Sequence, residues 1–148
     1  MGPMQTDLKS LREFAQRYTA AWCSQTPGSV AGFFSPNGSL TINDGAPSIG
    51  RDTIAVVAQS FMTAFPDLQV IMDDLMVEND SVEYRWILLG TNTGPGGTGN
   101  SVHIAGFERW QFGADGLIAA SLGHFDAADY RRQLDRPAAT SDAAPSAP

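Results

Sequence analysis

The chain has 148 residues, 43% hydrophobic and 17% charged, with one cysteine and a formal net charge of −7. One domain of that length buries roughly 68–70% of its unfolded surface without a disulfide framework or structural metal. The scattered basic residues exclude a nucleic-acid backbone as partner and disfavour an anionic membrane surface, since both need clustered Lys and Arg.

The single thiol, Cys23, fits a reducing compartment, and a cytoplasmic location is expected. No apolar run approaches the roughly 18 residues of a membrane span, and the opening MGPMQT is too short and polar to be expected to target anything. A neutral or apolar small molecule, or another protein, remains as partner. Residues 1–5 are expected to be disordered, 6–134 to form one domain and 135–148 to be a disordered tail.

Leu8, Leu11, Phe14, Ala15, Tyr18 and Trp22 recur at helical spacing, which predicts an amphipathic helix of about four to five turns, capped by Thr6 or Asp7. Thr26-Pro27 starts a short second helix with Val30, Phe33 and Phe34 inward, and Ser35-Pro36-Asn37-Gly38 ends it. Ser39–Asn43 alternates as a strand, and Asp44–Gly50 is a loop. A third helix follows, capped by Asp52, with Ile54, Val57, Ala58, Phe61 and Phe65 on one stripe and Pro66 stopping it.

From Leu68 the period becomes two. Leu68, Val70 and Met72 share a face, whereas Leu75 and Val77 have the other parity, so a bulge is expected near Asp73-Asp74. After the turn Glu78–Ser81, a strand puts Val82, Tyr84, Trp86 and Leu88 on one face. Glu83, Arg85, Ile87 and Leu89 take the other. The glycine-rich run Thr91–Ser101 connects to the long hairpin VHIAGFERWQF-GADG-LIAASLGHFD, and AADYRRQL closes the chain as a helix. Three helices and one early strand followed by a meander of four antiparallel strands define an α+β domain with helices on a curved sheet.

That order, with AFPDL, GTNTGP, GFERWQF-GADG-LI and FDAADYRRQL, resembles the SnoaL-like polyketide cyclases of the NTF2-like superfamily from about Leu8 to Leu134. The resemblance implies a cystatin/NTF2-like cone, with three N-terminal helices packed on a curved, mainly antiparallel sheet and a short C-terminal helix. It also implies a homodimer through the outer sheet face and a ligand pocket inside the cone. Ketosteroid isomerases and limonene epoxide hydrolases are relatives. The cyclases' catalytic aspartate falls at Gly123, and the isomerases' base falls near Ile42-Asn43, so neither carboxylate is supplied. The hydrolases' Arg and paired Asp also lack a clear match. Glu108 stands where cyclases carry a histidine and isomerases an acidic group, and Tyr18 matches the isomerases' first-helix tyrosine.

Alternation places Glu108 among Ile104, Gly106, Trp110 and Phe112, an apolar set that would raise its pKa and suit it to proton transfer beside a carbonyl. The competing reading is a structural Glu paired with Arg85 or Arg109, or bonded by Tyr18. His124 and Asp126 are the other catalytic candidates. Strict alternation turns both away from Gly123, so His124 needs a bulge to reach the cone, and Asp126 reads foremost as a helix cap. Tyr18, Trp22, Phe34, Asn43, Phe61, Phe65, Trp86, Trp110 and Phe125 are the substrate-binding candidates, with Tyr18 or Asn43 bonding the substrate oxygen. Aromatics at such spacings are also core formers. His103 shares the outer parity of Phe107 and Arg109. No metal set or phosphate loop is recognisable, no cofactor is expected, and Cys23 reads as a buried structural thiol. Phe107, Leu122 and Ile87 form the apolar patch expected to dimerise. The leading functional expectation is cofactor-independent acid–base chemistry on a hydrophobic carbonyl compound. A non-catalytic binding protein and a dimerisation module with a filled cone are the alternatives.

Overall fold

The computed structural model describes residues 8–136, and the expected disordered start, the Thr6/Asp7 cap and nearly all of the expected tail lie outside them. Helix α1 (Leu8–Trp22) leads, followed by α2 (Pro27–Ala31), β1 (Phe34–Ile42), β2 (Ser48–Ile49) and α3 (Arg51–Ala64). The meander β3 (Gln69–Glu78), β4 (Ser81–Thr91), β5 (Ser101–Phe112) and β6 (Ile118–Phe125) precedes α4 (Ala127–Asp135). The six strands form one sheet in the order β2-β1-β6-β5-β4-β3. The meander pairs antiparallel throughout, while β1 lies parallel to β6.

The pattern-derived features hold where periodicity is strong. Helix α1 buries Leu11, Phe14, Ala15, Tyr18 and Trp22, although Leu8 at its start is 56% exposed. The register of β3 against β4 shifts between Met72 and Asp74, which lets both Val70 and Leu75 be buried despite their opposite parity. Pro66 follows the end of α3 as its restriction on Phe65 requires.

Three local expectations are corrected. The turn-rich Ser35–Gly38 does not leave the sheet. It is part of β1, as an irregular stretch in which the pairing to β6 shifts between Phe34 and Ser39. Gly38 is required there, since a Cβ would stand 2.7 Å from the Ile118 carbonyl oxygen. The expected loop before α3 contains β2, paired with Ser39 and Leu40. Gly50, at φ 92°, is the N-cap of α3, and Asp52 sits inside its first turn, where a negative charge still favours the helix dipole.

The core lies between α1 and the concave face of the sheet. Tyr18 is T-shaped to Tyr84 (5.4 Å) and Trp110 (5.1 Å), and Tyr84 stacks on Trp110 at 4.8 Å and 16°. These rings fix α1 over β4 and β5 through offset and edge-to-face contacts. At the open end, Trp86 lies across Gly106, its cross-strand partner. A Cβ at Gly106 would collide with the His124 carbonyl oxygen and with the indole 2.5 Å away. Trp86 then meets Phe125 (6.1 Å), and Phe125 meets Tyr130 of α4 (5.5 Å). The outer face is uncovered: Leu122 is 59% and Ile71 42% exposed.

Candidate functional site

Inside the curve of the sheet a cavity of about 60 Å³ remains, so side chains do not fill the cone. Its walls come from β1 (Leu40, Ile42), β3 (Val70), β4 (Tyr84, Trp86, Leu88), β5 (Ile104, Glu108) and β6 (Gly123, His124, Phe125). Trp22 of α1 and Phe61 of α3 complete it. On a scale where one water takes about 10–15 Å³, it has room for about four or five waters.

Glu108 is 7% exposed and is the acidic side chain of this cavity. Period-two alternation carries it to the concave face, and three elements converge on it. Trp110 Nε1, two residues along β5, donates to Oε1 at 2.9 Å, and Ser121 Oγ of β6 donates to Oε1 at 2.8 Å. The Tyr18 hydroxyl lies 2.9 Å from Oε1 and 3.0 Å from Oε2. Its one proton is shared between the two oxygens. Oε1 is thus crowded with donors, and Oε2 keeps spare capacity. An indole N–H can only donate, so Oε1 must accept, and when Glu108 is protonated its proton belongs on Oε2.

Burial pushes the Glu108 carboxyl above its ordinary value, and the bonds from Trp110, Ser121 and Tyr18 oppose that rise only in part. Burial, then the neighbouring Glu108, raises Tyr18 well above the usual phenol range, so it stays a donor. Tyr84 is also raised by burial. Its hydroxyl lies 2.5 Å from Thr19 Oγ1, which itself donates to the Ala15 carbonyl at 2.8 Å. Tyr84 therefore offers the cavity its ring.

Of the competing structural reading of Glu108, the bond from Tyr18 is present, whereas the pairing with Arg85 or Arg109 is not: both arginines belong to Glu83. Their Nη2 atoms each lie 2.6 Å from a Glu83 oxygen on the outer face. The Arg109 bond, with Arg85 beside it, holds Glu83 below its ordinary value.

The other candidate residues separate by place. Trp22, Phe61, Trp86 and Phe125 line the cavity as expected from alternation and helical spacing. Tyr18, Phe34, Phe65 and Trp110 are fully buried and do not line it. Asn43 is not among the cavity walls, and its Oδ1 is taken up by Phe125 N at 3.0 Å, which leaves Nδ2 as its donor. Tyr18 likewise spends its hydroxyl on Glu108. His124 borders the cavity, but its ring lies 5.6 Å from that of Phe107, on the outer side, and no bulge turns it inward. Asp126 caps α4, its Oδ1 accepting from Asp129 N at 3.0 Å, and it is absent from the cavity walls. Both remain outside the cluster around Glu108.

Ser121 was missed in the sequence. Its parity with Gly123 and Phe125 is the signal that places it on the concave face. Cys23 is exposed rather than buried, its Sγ resting on the Val70 backbone. The glycine-rich run is anchored at both ends. Asn92 ties it to the Ala64 carbonyl and Thr98 N, and Asn100 ties it to the Leu134 carbonyl. Among the described residues no three His, Cys, Asp or Glu side chains are grouped to hold a metal ion. None of the described helices is long and apolar enough to cross a membrane.

A buried carboxyl in a small apolar cone under a curved sheet is the arrangement of an NTF2-like domain, and the chain belongs to the SnoaL-like polyketide cyclase family, whose model matches residues 12–134. No curated protein matches the sequence. Among solved structures, TsrD from Streptomyces laurentii is similar at a TM-score of 0.75 and 21% identity, over 88% of this chain and 98% of that one. SalBIII, described as an epoxide hydrolase/cyclase-like enzyme in pyran ring formation in the polyether salinomycin, gives 0.73 and 18%, over 85% and 97%. An NTF2-like protein of unknown function from Burkholderia pseudomallei K96243 gives 0.71 and 16%, over 84% and 96%. At these identities the likeness is one of fold.

The buried carboxyl has a consequence for stability. Its neutral form is favoured in the fold, so its stabilisation is complete below the ordinary value of 4.5 and is lost as pH rises through the raised folded value. Relative to Glu108→Gln, the wild-type protein should lose up to about 1.4 kcal/mol per pH unit within that window. Urea unfolding of both proteins across pH measures this; parallel stability curves would contradict it.

Proposed function

We propose that the cavity carries out cofactor-independent acid–base chemistry on a hydrophobic carbonyl compound, with Glu108 moving the proton through Oε2. The observation that carries this reading is the asymmetry of the carboxyl: Oε1 accepts from Trp110 and Ser121 and shares the Tyr18 proton with Oε2, which takes no other donor and so has capacity to spare. As a carboxylate, Oε2 takes a proton from the carbon beside the carbonyl, leaving an enolate. As a carboxylic acid, it returns the proton to that carbon or to another, which completes an exchange or an isomerisation. The raised pKa keeps the acid form available to higher pH than in an ordinary carboxyl and makes the carboxylate a stronger base. Water-poor walls strengthen the electrostatics of such a step.

The size of the cavity limits what enters. Room for about four or five waters admits the reacting end of a substrate, and the remainder would extend past the half-buried Trp86 and Phe125. A second reading, a non-catalytic binding protein using the same pocket, is favoured by Gly123 at the position of the cyclase aspartate. Packing does not forbid an aspartate there. A Cβ at Gly123 would meet the Thr41 carbonyl oxygen at 3.4 Å and Glu108 Cγ at 3.7 Å, both ordinary contacts.

We place the protein in the cytoplasm, on the strength of its single cysteine, and as a homodimer through the outer sheet face, where Leu122 and Ile71 are exposed beside Phe107. Sedimentation equilibrium should give twice the chain mass of 15.8 kDa. Leu122→Glu, which sets a charge in that patch, should shift the particle to the monomer mass. A monomeric wild type would refute the dimer.

Incubation in heavy water with cyclic ketones and β-keto esters tests the chemistry. Deuterium should enter beside the carbonyl, and Glu108→Gln should slow this by about 10²–10⁴-fold. Exchange unaffected by Glu108→Gln would refute the reading. Absence of exchange with the ketones still bound, reversed in Gly123→Asp, would establish the binding protein that has lost its base.

A further inference from the structure

The Glu108 cavity is walled by five aromatic residues, Trp22, Phe61, Tyr84, Trp86 and Phe125, and among the described residues no Lys or Arg lines it. An aromatic face attracts a cation through its quadrupole, most strongly when the pair is removed from water, and Trp is the best such face. A carboxylate at one end of the cage supplies the counter-charge. An anionic ligand would meet that carboxylate with nothing to pair it, in a chain that already carries −7.

The number of free acceptors sharpens the choice. A primary ammonium brings three N–H donors and a guanidinium five. The carboxyl has Oε2 alone with spare capacity, and Tyr84 directs its hydroxyl to Thr19. N–H groups left unbonded among apolar walls are costly. A methylated ammonium has few or none to satisfy, and its methyls can pack against the rings. A quaternary head group has five non-hydrogen atoms, which suits room for about four or five waters.

We propose that this cavity binds a small methylated ammonium head group, its methyls against Trp22, Phe61, Tyr84, Trp86 and Phe125 and its charge facing Oε2 of Glu108. This rests on the same reading of Oε2 as open to the cavity, but not on catalysis. Cation and carbonyl substrate use one oxygen, so the cation competes with proton exchange.

Binding is linked to pH through Glu108. A permanent cation pairs with the carboxylate, so below the Glu108 pKa it must displace one proton, and its affinity climbs by up to about tenfold per pH unit until the group is ionised. A neutral ligand of the same shape has no such requirement. The groups facing Glu108 do not imitate this titration: Tyr18 from α1 and Tyr84 from β4 are raised above the usual phenol range, and Ser121 of β6 is not ionised. From α3 and β3 come Phe61 and Val70, and from β1 come Leu40 and Ile42. His124 is the other titratable wall residue, and its ring lies against Phe107.

Calorimetric titration with choline and with 3,3-dimethylbutan-1-ol, its uncharged isostere, over roughly pH 5 to 8 tests the proposal. Choline should bind more tightly, with affinity rising with pH and up to one proton released per ligand, seen as a dependence of the heat on buffer. Glu108→Gln should abolish the pH dependence and the preference for charge, whereas His124→Asn should keep both. Trp86→Leu should weaken choline more than the isostere. Equal binding of the two ligands, or binding of neither, overturns the proposal. Glu108-dependent proton exchange without a choline preference removes the cation and leaves the acid–base reading. Choline preference without exchange does the reverse. Indifference of both to Glu108→Gln removes their shared premise.

Discussion

The interior of this domain depends on how a single buried carboxyl is satisfied. Glu108 would be a severe cost in an apolar cone if it stood alone. It is tolerated because α1, β5 and β6 each bring a donor to it: Tyr18, Trp110 and Ser121. Those bonds join the helix layer to the centre of the sheet, and the aromatic packing repeats the connection, since Tyr18 and Trp110 also meet ring to ring. Fold and site are therefore hard to separate. The groups that orient the carboxyl also hold α1 in place, and one oxygen is left with capacity to act.

The two glutamates on neighbouring central strands show how environment divides one residue type. Glu83 and Glu108 are almost equally shielded from solvent, at 5% and 7% exposure. Glu83 faces outward into Arg85 and Arg109, which keep it ionised. Glu108 faces inward among neutral donors, which offset its desolvation without abolishing it. Opposite charge decides the first and burial the second. The outward pair of guanidiniums also lies over the Phe107 ring, at 5.9 and 5.7 Å, so the exposed sheet face is ordered by charge and π contacts together.

Much of this was legible in the residue pattern. The alternation of β4 and β5 placed Tyr84, Trp86, Glu108 and Trp110 on the concave face, and opposite parities within β3 required the bulge that occurs at Met72–Asp74. What was not legible depends on partners distant in sequence. Ser35–Gly38 has the composition of a turn, but β6 is there to pair with the segment, and tertiary pairing overrides local propensity. Arg109 adjoins Glu108 in sequence, but alternation turns it to the other face, and only the cross-strand register sets it opposite Glu83, beside Arg85. Tyr18 and Asn43 were sensible donors to a substrate oxygen by position. The Tyr18 hydroxyl is already engaged by Glu108, and Asn43 lies outside the cavity walls with its Oδ1 on the Phe125 backbone, neither of which is visible until the chain is folded.

Burial holds the Glu108 carboxyl above the normal carboxylate range at the wall of the cavity. Side-chain carboxyl NMR of protein labelled with ¹³C at the glutamate δ-carbon, followed across pH and assigned by Glu108→Gln, tests it most directly. One resonance, lost in the variant, should show a midpoint above the ordinary 4.5. It should move downward when choline occupies the cavity. A Glu108 resonance that titrates with the surface carboxylates, and ignores every ligand, would contradict a buried acid at the cavity wall.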